Sequence, residues 1–159
     1  MAGLNEMLKR VRAVNLTEIA GRIVEENAEK LAELNKRQLM KGLNNKGELL
    51  SPKHSENPWF KTKEAALRYA GWKHRKFPET PFDVPNLIIT GVYHNSIFVS
   101  RAGDNVNIKA SATFAGNIEQ TFKGTALGLN DNTMEEVRSD IIRPPLAREV
   151  AKELGVTVG

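Results

Sequence analysis

The side chains best suited to chemistry in this chain are His54, His74, His94, Ser96, the acidic pairs Glu25-Glu26 and Glu135-Glu136, and the glycine-lysine run Gly42–Gly47. Histidines bind metals or move protons near neutral pH, but ligation needs several donors to converge with a carboxylate. Here they stand far apart, and none sits in an H-x-x-x-H arrangement. His94 and Ser96 share a face if their segment is a strand, because alternate residues point to the same side. A histidine-assisted serine nucleophile also needs a third group to orient the base, and none is evident. Gly42-Leu43-Asn44-Asn45-Lys46-Gly47-Glu48 has the glycine spacing of a phosphate-binding loop. That loop needs lysine where Glu48 stands, so the run reads as a turn. No G-x-G-x-x-G and no G-x-S-x-G occurs. Both acidic pairs fall on amphipathic helices, where acids on the wet face are expected. With no cysteine there is neither a thiolate ligand nor a thiol nucleophile. The sequence therefore predicts no enzyme, no metal and no cofactor.

The elements that carry these residues read as follows. At 159 residues, 40% hydrophobic and 26% charged, the chain suits one soluble domain with a real core. No apolar run approaches the roughly 20 residues of a membrane helix, and the first ten residues lack the apolar core of a secretory signal. Leu4, Met7, Leu8 and Val11 recur at helical spacing over 4–14. Asn15-Leu16-Thr17 breaks and caps the chain before a long amphipathic helix that runs to Lys41, with Gly42 as its stop. Its stripe is Ile19, Ile23, Val24, Leu31, Leu34 and Leu39. A helix of this length is expected either to span the domain or to pack on a neighbouring subunit.

Asn44–Gly47 is a turn signal, Glu48–Pro52 a short extended segment, and 51–62 a polar loop. Lys63–His74 reads as a second helix, and Phe77–Pro85, with three prolines, as an extended connector. Ser96–Arg101 and Val106–Ala110 form a hairpin across Ala102–Asn105. A short helix is expected around Phe114–Thr121. Thr133-Met134-Glu135-Glu136 has the pattern of a capping box that opens a helix to Ile142. Pro144-Pro145 is expected to interrupt it, and Leu146–Leu154 to close the chain before Gly155. The predicted class is α+β, a single domain with four parts. Residues 1–42 are the helical N-terminal part, 43–86 a loop and a basic helix, 87–110 a turn and hairpin, and 111–159 a C-terminal loop and helices. The N- and C-terminal helices would flank a small, mainly antiparallel sheet made of the hairpin and one or more further strands.

Charge is concentrated in one place. Lys61, Lys63, Arg68, Lys73, Arg75 and Lys76 face only Glu64 within 61–76, a balance of +5 against +4 for the whole chain. Trp59, Tyr69 and Trp72 are interleaved. Basic and aromatic side chains together suit single-stranded nucleic acid, by phosphate contact and base stacking. The alternative is a basic helix whose Tyr69 and Trp72 pack inward and whose lysines meet solvent or an acidic protein neighbour.

Leu87–Arg101 organises the rest. Thr90 can cap a short turn and Gly91 tolerates its tight backbone, after which Ile97, Phe98 and Val99 have strand composition. The run Leu87-x-x-Thr90-Gly91-x-Tyr93-x-x-Ser96-Ile97 resembles the L-x-x-T-G-x-L-x-x-S-I signature of tailed-bacteriophage tail-completion and head–tail joining proteins, including the Mu-type virion morphogenesis group. Tyr93 stands where that family has leucine. Gln38-Leu39-x-x-Gly42 in the long helix and Ala126-Leu127-Gly128-Leu129-Asn130 before a helix are similar to further family features. The family's Y-A-x-x-H-E-F-G stretch is only faintly echoed by Phe114–Gln120, and Arg143-Pro144 follows the leucine-glycine segment where the family has it before.

The resemblance implies a virion structural protein, assembled in the host bacterial cytoplasm and without catalysis. It implies a ring subunit in the neck, with portal, adaptor or tail proteins as partners and DNA passing through the ring. Thr90, Gly91, Tyr93, Ser96 and Ile97 would be architectural. The long helix and the Thr90–Ser100 element would serve folding and ring contacts. Lys61, Lys63, Arg68, Trp72, Lys73, Arg75 and Lys76 are the candidate contacts to DNA or a partner. Subunits of a ring meet through two different patches. Residues 117–159, with a balance of −2, complement the basic strip. The competing expectation is a nucleic-acid-binding module that uses 59–76.

Overall fold

A computed structural model describes residues 3–157, and the outermost residues of the predicted terminal parts lie outside that span. Three helices open the chain: α1 (Leu4–Ala13), α2 (Leu16–Glu26) and α3 (Ala28–Met40). A single 3₁₀ turn at His54–Glu56 precedes α4 (Lys63–Lys76). The short α5 (Val92–Asn95) leads into the hairpin β1 (Ile97–Ala102) and β2 (Asn105–Ala110). Then follow α6 (Ala115–Thr121), α7 (Asp131–Glu136), a π-helical stretch Val137–Ile142 and α8 (Arg143–Leu154). The architecture is a mainly helical α+β fold, with the antiparallel hairpin packed on α2 and α3. None of the described helices is long and apolar enough to cross a membrane.

The expected hairpin forms, with Val99 opposite Ile108, and its strands extend into the predicted turn to pair Ala102 with Asn105. Among the described residues no further strand joins it; the only other pairing is an isolated bridge between Leu43 and Leu49. The long helix is two helices bent at Asn27, whose side-chain amide donates to the Ile23 carbonyl at 2.8 Å. A side chain that bonds the preceding turn competes with the ladder and bends the helix. The apolar stripe of α2 and α3 is buried within the chain, so it makes the core and offers nothing to a neighbour. Residues 77–85 form turns, held by Thr80 N–H to Phe77 O and Val84 N–H to Pro81 O, rather than an extended connector. Asn130, not Thr133, caps the C-terminal helices, because its Oδ1 accepts from Thr133 N–H at 3.0 Å. Pro144-Pro145 does not interrupt them. The chain keeps helical angles through Arg143, and the backbone widens into the π-helical turn just before the two residues that lack an N–H.

One core cluster joins residues from Ala32 to Ala126, among them Leu39, Leu50, Tyr93, Ile97, Phe122 and Ala126. Two amides on α3 fasten the 126–130 segment to it. Asn35 donates to Ala126 O at 3.2 Å and accepts from Gly128 N–H at 3.0 Å. Gln38 donates to Asn44 O and Gly128 O, both at 3.0 Å, and accepts from Asn130 N–H at 2.9 Å. Both side chains are buried, and such groups persist only when their hydrogen bonds are made. At the end of α3, Gly42 adopts φ +72° and Leu43 N–H returns to Gln38 O, which closes the helix in a left-handed turn.

Candidate functional site

The Thr90-Gly91 element forms one wall of an open, mainly apolar groove of about 560 Å³. Ile88–Tyr93 make that wall; Phe114, Ile118 and Phe122 come from α6 and its flanks, and Trp59, Phe60 and Tyr69 from the loop and α4. Trp59 is 69% exposed and Ile89 67%, and Val92 and Phe114 also lie open to solvent. Apolar side chains open to solvent around one groove make it the candidate binding face. Gly91 sits at φ +88°, the conformation that glycine adopts at no steric cost, and Thr90 Oγ1 accepts from Val92 N–H at 3.4 Å.

The wall is positioned by Asn86, which is fully buried. Its Oδ1 accepts from Lys73 Nζ at 2.6 Å, its Nδ2 donates to Thr80 Oγ1 at 3.0 Å, and its carbonyl accepts from His94 Nε2 at 2.7 Å. Lys73 also donates to the Ile88 carbonyl. Its burial pushes the ammonium pKa down to about 8, helped by the charge of Lys76. One buried hub thus ties α4, the 77–85 turns and α5 together directly beneath the groove.

The predicted motif residues have structural places. Tyr93 and Ile97 are buried in the main core, and the Tyr93 hydroxyl reaches Glu119 Oε1 at 3.5 Å. Burial, then the Glu119 carboxylate, raises the Tyr93 pKa. Ser96 Oγ donates to Tyr93 O at 2.8 Å, which closes α5, while His94 Nε2 donates to Asn86 O at 2.7 Å. Ser96 and His94 therefore do not pair. Burial lowers the pKa of His94 and of His54, so both rings stay neutral at pH 7. His74 meets Thr80 O, and no metal-holding cluster of His, Asp or Glu occurs among the described residues.

The basic strip does not act as one surface. Lys73, at 5% exposure, faces inward with Ala66 and Ala70, away from the exposed face of α4. Arg68, Trp72, Arg75 and Lys76 form the opposite, exposed face of α4, with Lys76 Nζ 5.2 Å above the Trp72 ring. Lys61 and Lys63 are exposed at its start.

No family model, no curated protein and no solved structure matches the chain.

Sequence reasoning missed Asn86, His54 and Phe114 as parts of this site. For Lys73 a signal was present, because Ala66, Ala70 and Lys73 lie at i, i+4 and i+7. His54 stands edge-on to Tyr69 with ring centroids 5.0 Å apart, and its Nε2 has no hydrogen-bond partner among the described residues. Nothing in its local sequence announces that placement.

Proposed function

We propose that this protein is a structural subunit of the neck or tail-completion region of a tailed bacteriophage, working by assembly with copies of itself and with portal, adaptor or tail proteins. One observation carries the reading. The three separated segments of the family resemblance meet in a single core, where Leu39 of the first, Tyr93 and Ile97 of the second and Ala126 of the third pack together. Gln38 then bonds Gly128 and Asn130 directly, so that the first segment clasps the third. Segments that resemble a family signature and also form one another's packing partners are better explained as a shared architecture than as scattered coincidences. Of the titratable groups around the groove, Lys73 and Tyr93 are held in structural hydrogen bonds, which fits the same reading. The test is mass spectrometry of purified virions from the parent phage. The protein is expected at a stoichiometry consistent with a ring, and its absence from the particle would overturn the proposal.

A second reading, a nucleic-acid-binding module, rests on the exposed face of Arg68, Trp72, Arg75 and Lys76. It requires binding of single-stranded DNA that weakens steeply with salt, in proportion to the phosphates contacted. No binding at low salt, or a flat salt titration, removes it.

A further inference from the structure

The groove and α1 are both apolar and both uncovered, and we infer that α1 of one copy docks in the groove of the next. This rests on the assembly reading above and names its contact.

Of all the longer helices, α1 is the one with no buried residue. Leu4, Met7, Leu8 and Val11 stand at i, i+3, i+4 and i+7, and all four are exposed. That spacing is the anchor pattern of a helix that lies in a groove. The helix has 10 residues, and isolated helices below about 12–15 residues are marginal in water. Within its own chain its main contact is with α8, and none of its residues lines the groove. Its order therefore calls for a second surface over the stripe. The groove supplies one of matching chemistry, with Trp59, Ile89, Val92 and Phe114 open to solvent around its mouth. The buried hub of Asn86 and Lys73 fixes its wall, so it is largely formed before anything enters.

Helix and groove are different patches, so the contact is head-to-tail and propagates from copy to copy until a ring closes. One ten-residue helix in one groove lies at the small end of interface sizes, and the expected affinity is weak, about 10–100 μM per contact.

The experiment is sedimentation velocity of the full chain over a concentration series, with Leu8→Glu on the helix and Ile89→Glu on the groove wall. Both positions are exposed, and circular dichroism confirms the fold of each variant. Wild type is expected to show an average mass that rises with concentration. Each single variant is expected to remain monomeric. An equimolar mixture of the two retains one intact helix and one intact groove, and is expected to stop at a dimer. A wild type that stays monomeric to about 1 mM overturns the docking, since that is well above the expected affinity. So do variants that associate like wild type.

A photoreactive group at position 8, in a mixture of ¹⁴N and ¹⁵N chains, identifies the occupant. Cross-links between chains to 88–93 or 114–122 support the proposal. Links within one chain, or to any other surface, overturn it. The virion assay separates the two claims. Presence in particles with no effect of either variant on association retires the docking alone. Absence from particles retires the neck reading, and leaves any measured self-association standing.

Discussion

Lys73 offers the sharpest physical test, because a buried ammonium changes its proton affinity on folding. Its pKa falls from an ordinary 10.5 to about 8 in the native chain. Between those values the unfolded chain holds a proton that the native chain has released. Stability therefore rises with pH across that window and is flat below it. From these two values the gain between pH 7 and pH 9.5 is about 2 kcal/mol, or roughly 1 M in the urea midpoint for a chain of this size. Above pH 10 the trend turns over. Tyr69 and Tyr93 have pKa values raised by burial, so their unfolded counterparts ionise first and draw the equilibrium toward the unfolded state. Urea titrations at half-unit intervals should therefore show a stability maximum between about pH 9 and 10. Lys73→Met keeps the aliphatic stem but removes the ammonium that reaches Asn86 and Ile88. It should lower stability at all pH values, and its curve should lack the rise from pH 7 to 9.5. A flat wild-type curve across that range, or a rise that survives in the variant, refutes the account of Lys73 as a buried charged group.

Three further outcomes follow from the geometry. Gln38→Ala leaves the Asn44 and Gly128 carbonyls and the Asn130 N–H without their partner; the urea midpoint should report a loss of about 3 kcal/mol. Gly42→Ala places a methyl group 2.5 Å from Val84 Cγ1 at φ +72°, and calorimetry should show a destabilisation of about 1–3 kcal/mol. His54 and His94 have pKa values lowered by burial, so the unfolded chain takes up protons first as pH falls through 6.5. Stability should decline from about pH 6.5 downward, and an unchanged urea midpoint between pH 7 and 5 would contradict it.

Local chemistry made most of the elements legible. The spacing of Leu4, Met7, Leu8 and Val11 marked α1, and the turn signal Ala102–Asn105 marked the hairpin, which the structure tightens to Gly103-Asp104 between the strands. Gly42 and Gly155 ended helices in left-handed turns, as glycine does. The errors came from residues whose role is set by distant partners. Asn27 reads as one more polar residue in a long amphipathic run, yet its side chain bends the helix. Asn35 and Gln38 lie four residues beyond Leu31 and Leu34, on the apolar face, and the sequence does not disclose the backbone 90 or so residues away that satisfies them. The strip at 61–76 was legible as charge but not as surface, because counting lysines ignores which side of α4 each one occupies. The groove could not be read at all, since Trp59, Ile89 and Phe114 are brought together only by the closed core.

The clasp made by Asn35 and Gln38 also sets an order of events. Their partners in the 126–130 segment lie 90 to 93 residues later in the chain. At a synthesis rate of roughly 5–20 residues per second, α3 leaves the ribosome about 5–20 s before the backbone that completes it. During that delay Gln38 can reach only the nearby Asn44 carbonyl, and the groups that await 126–130 are left to water, so the core cannot close around them. A chain cut short before residue 126 lacks those partners permanently, and without the closed core it does not hold the groove in shape. On the docking proposed above, truncated copies would be unable to receive a neighbour's helix, and only finished molecules would take part.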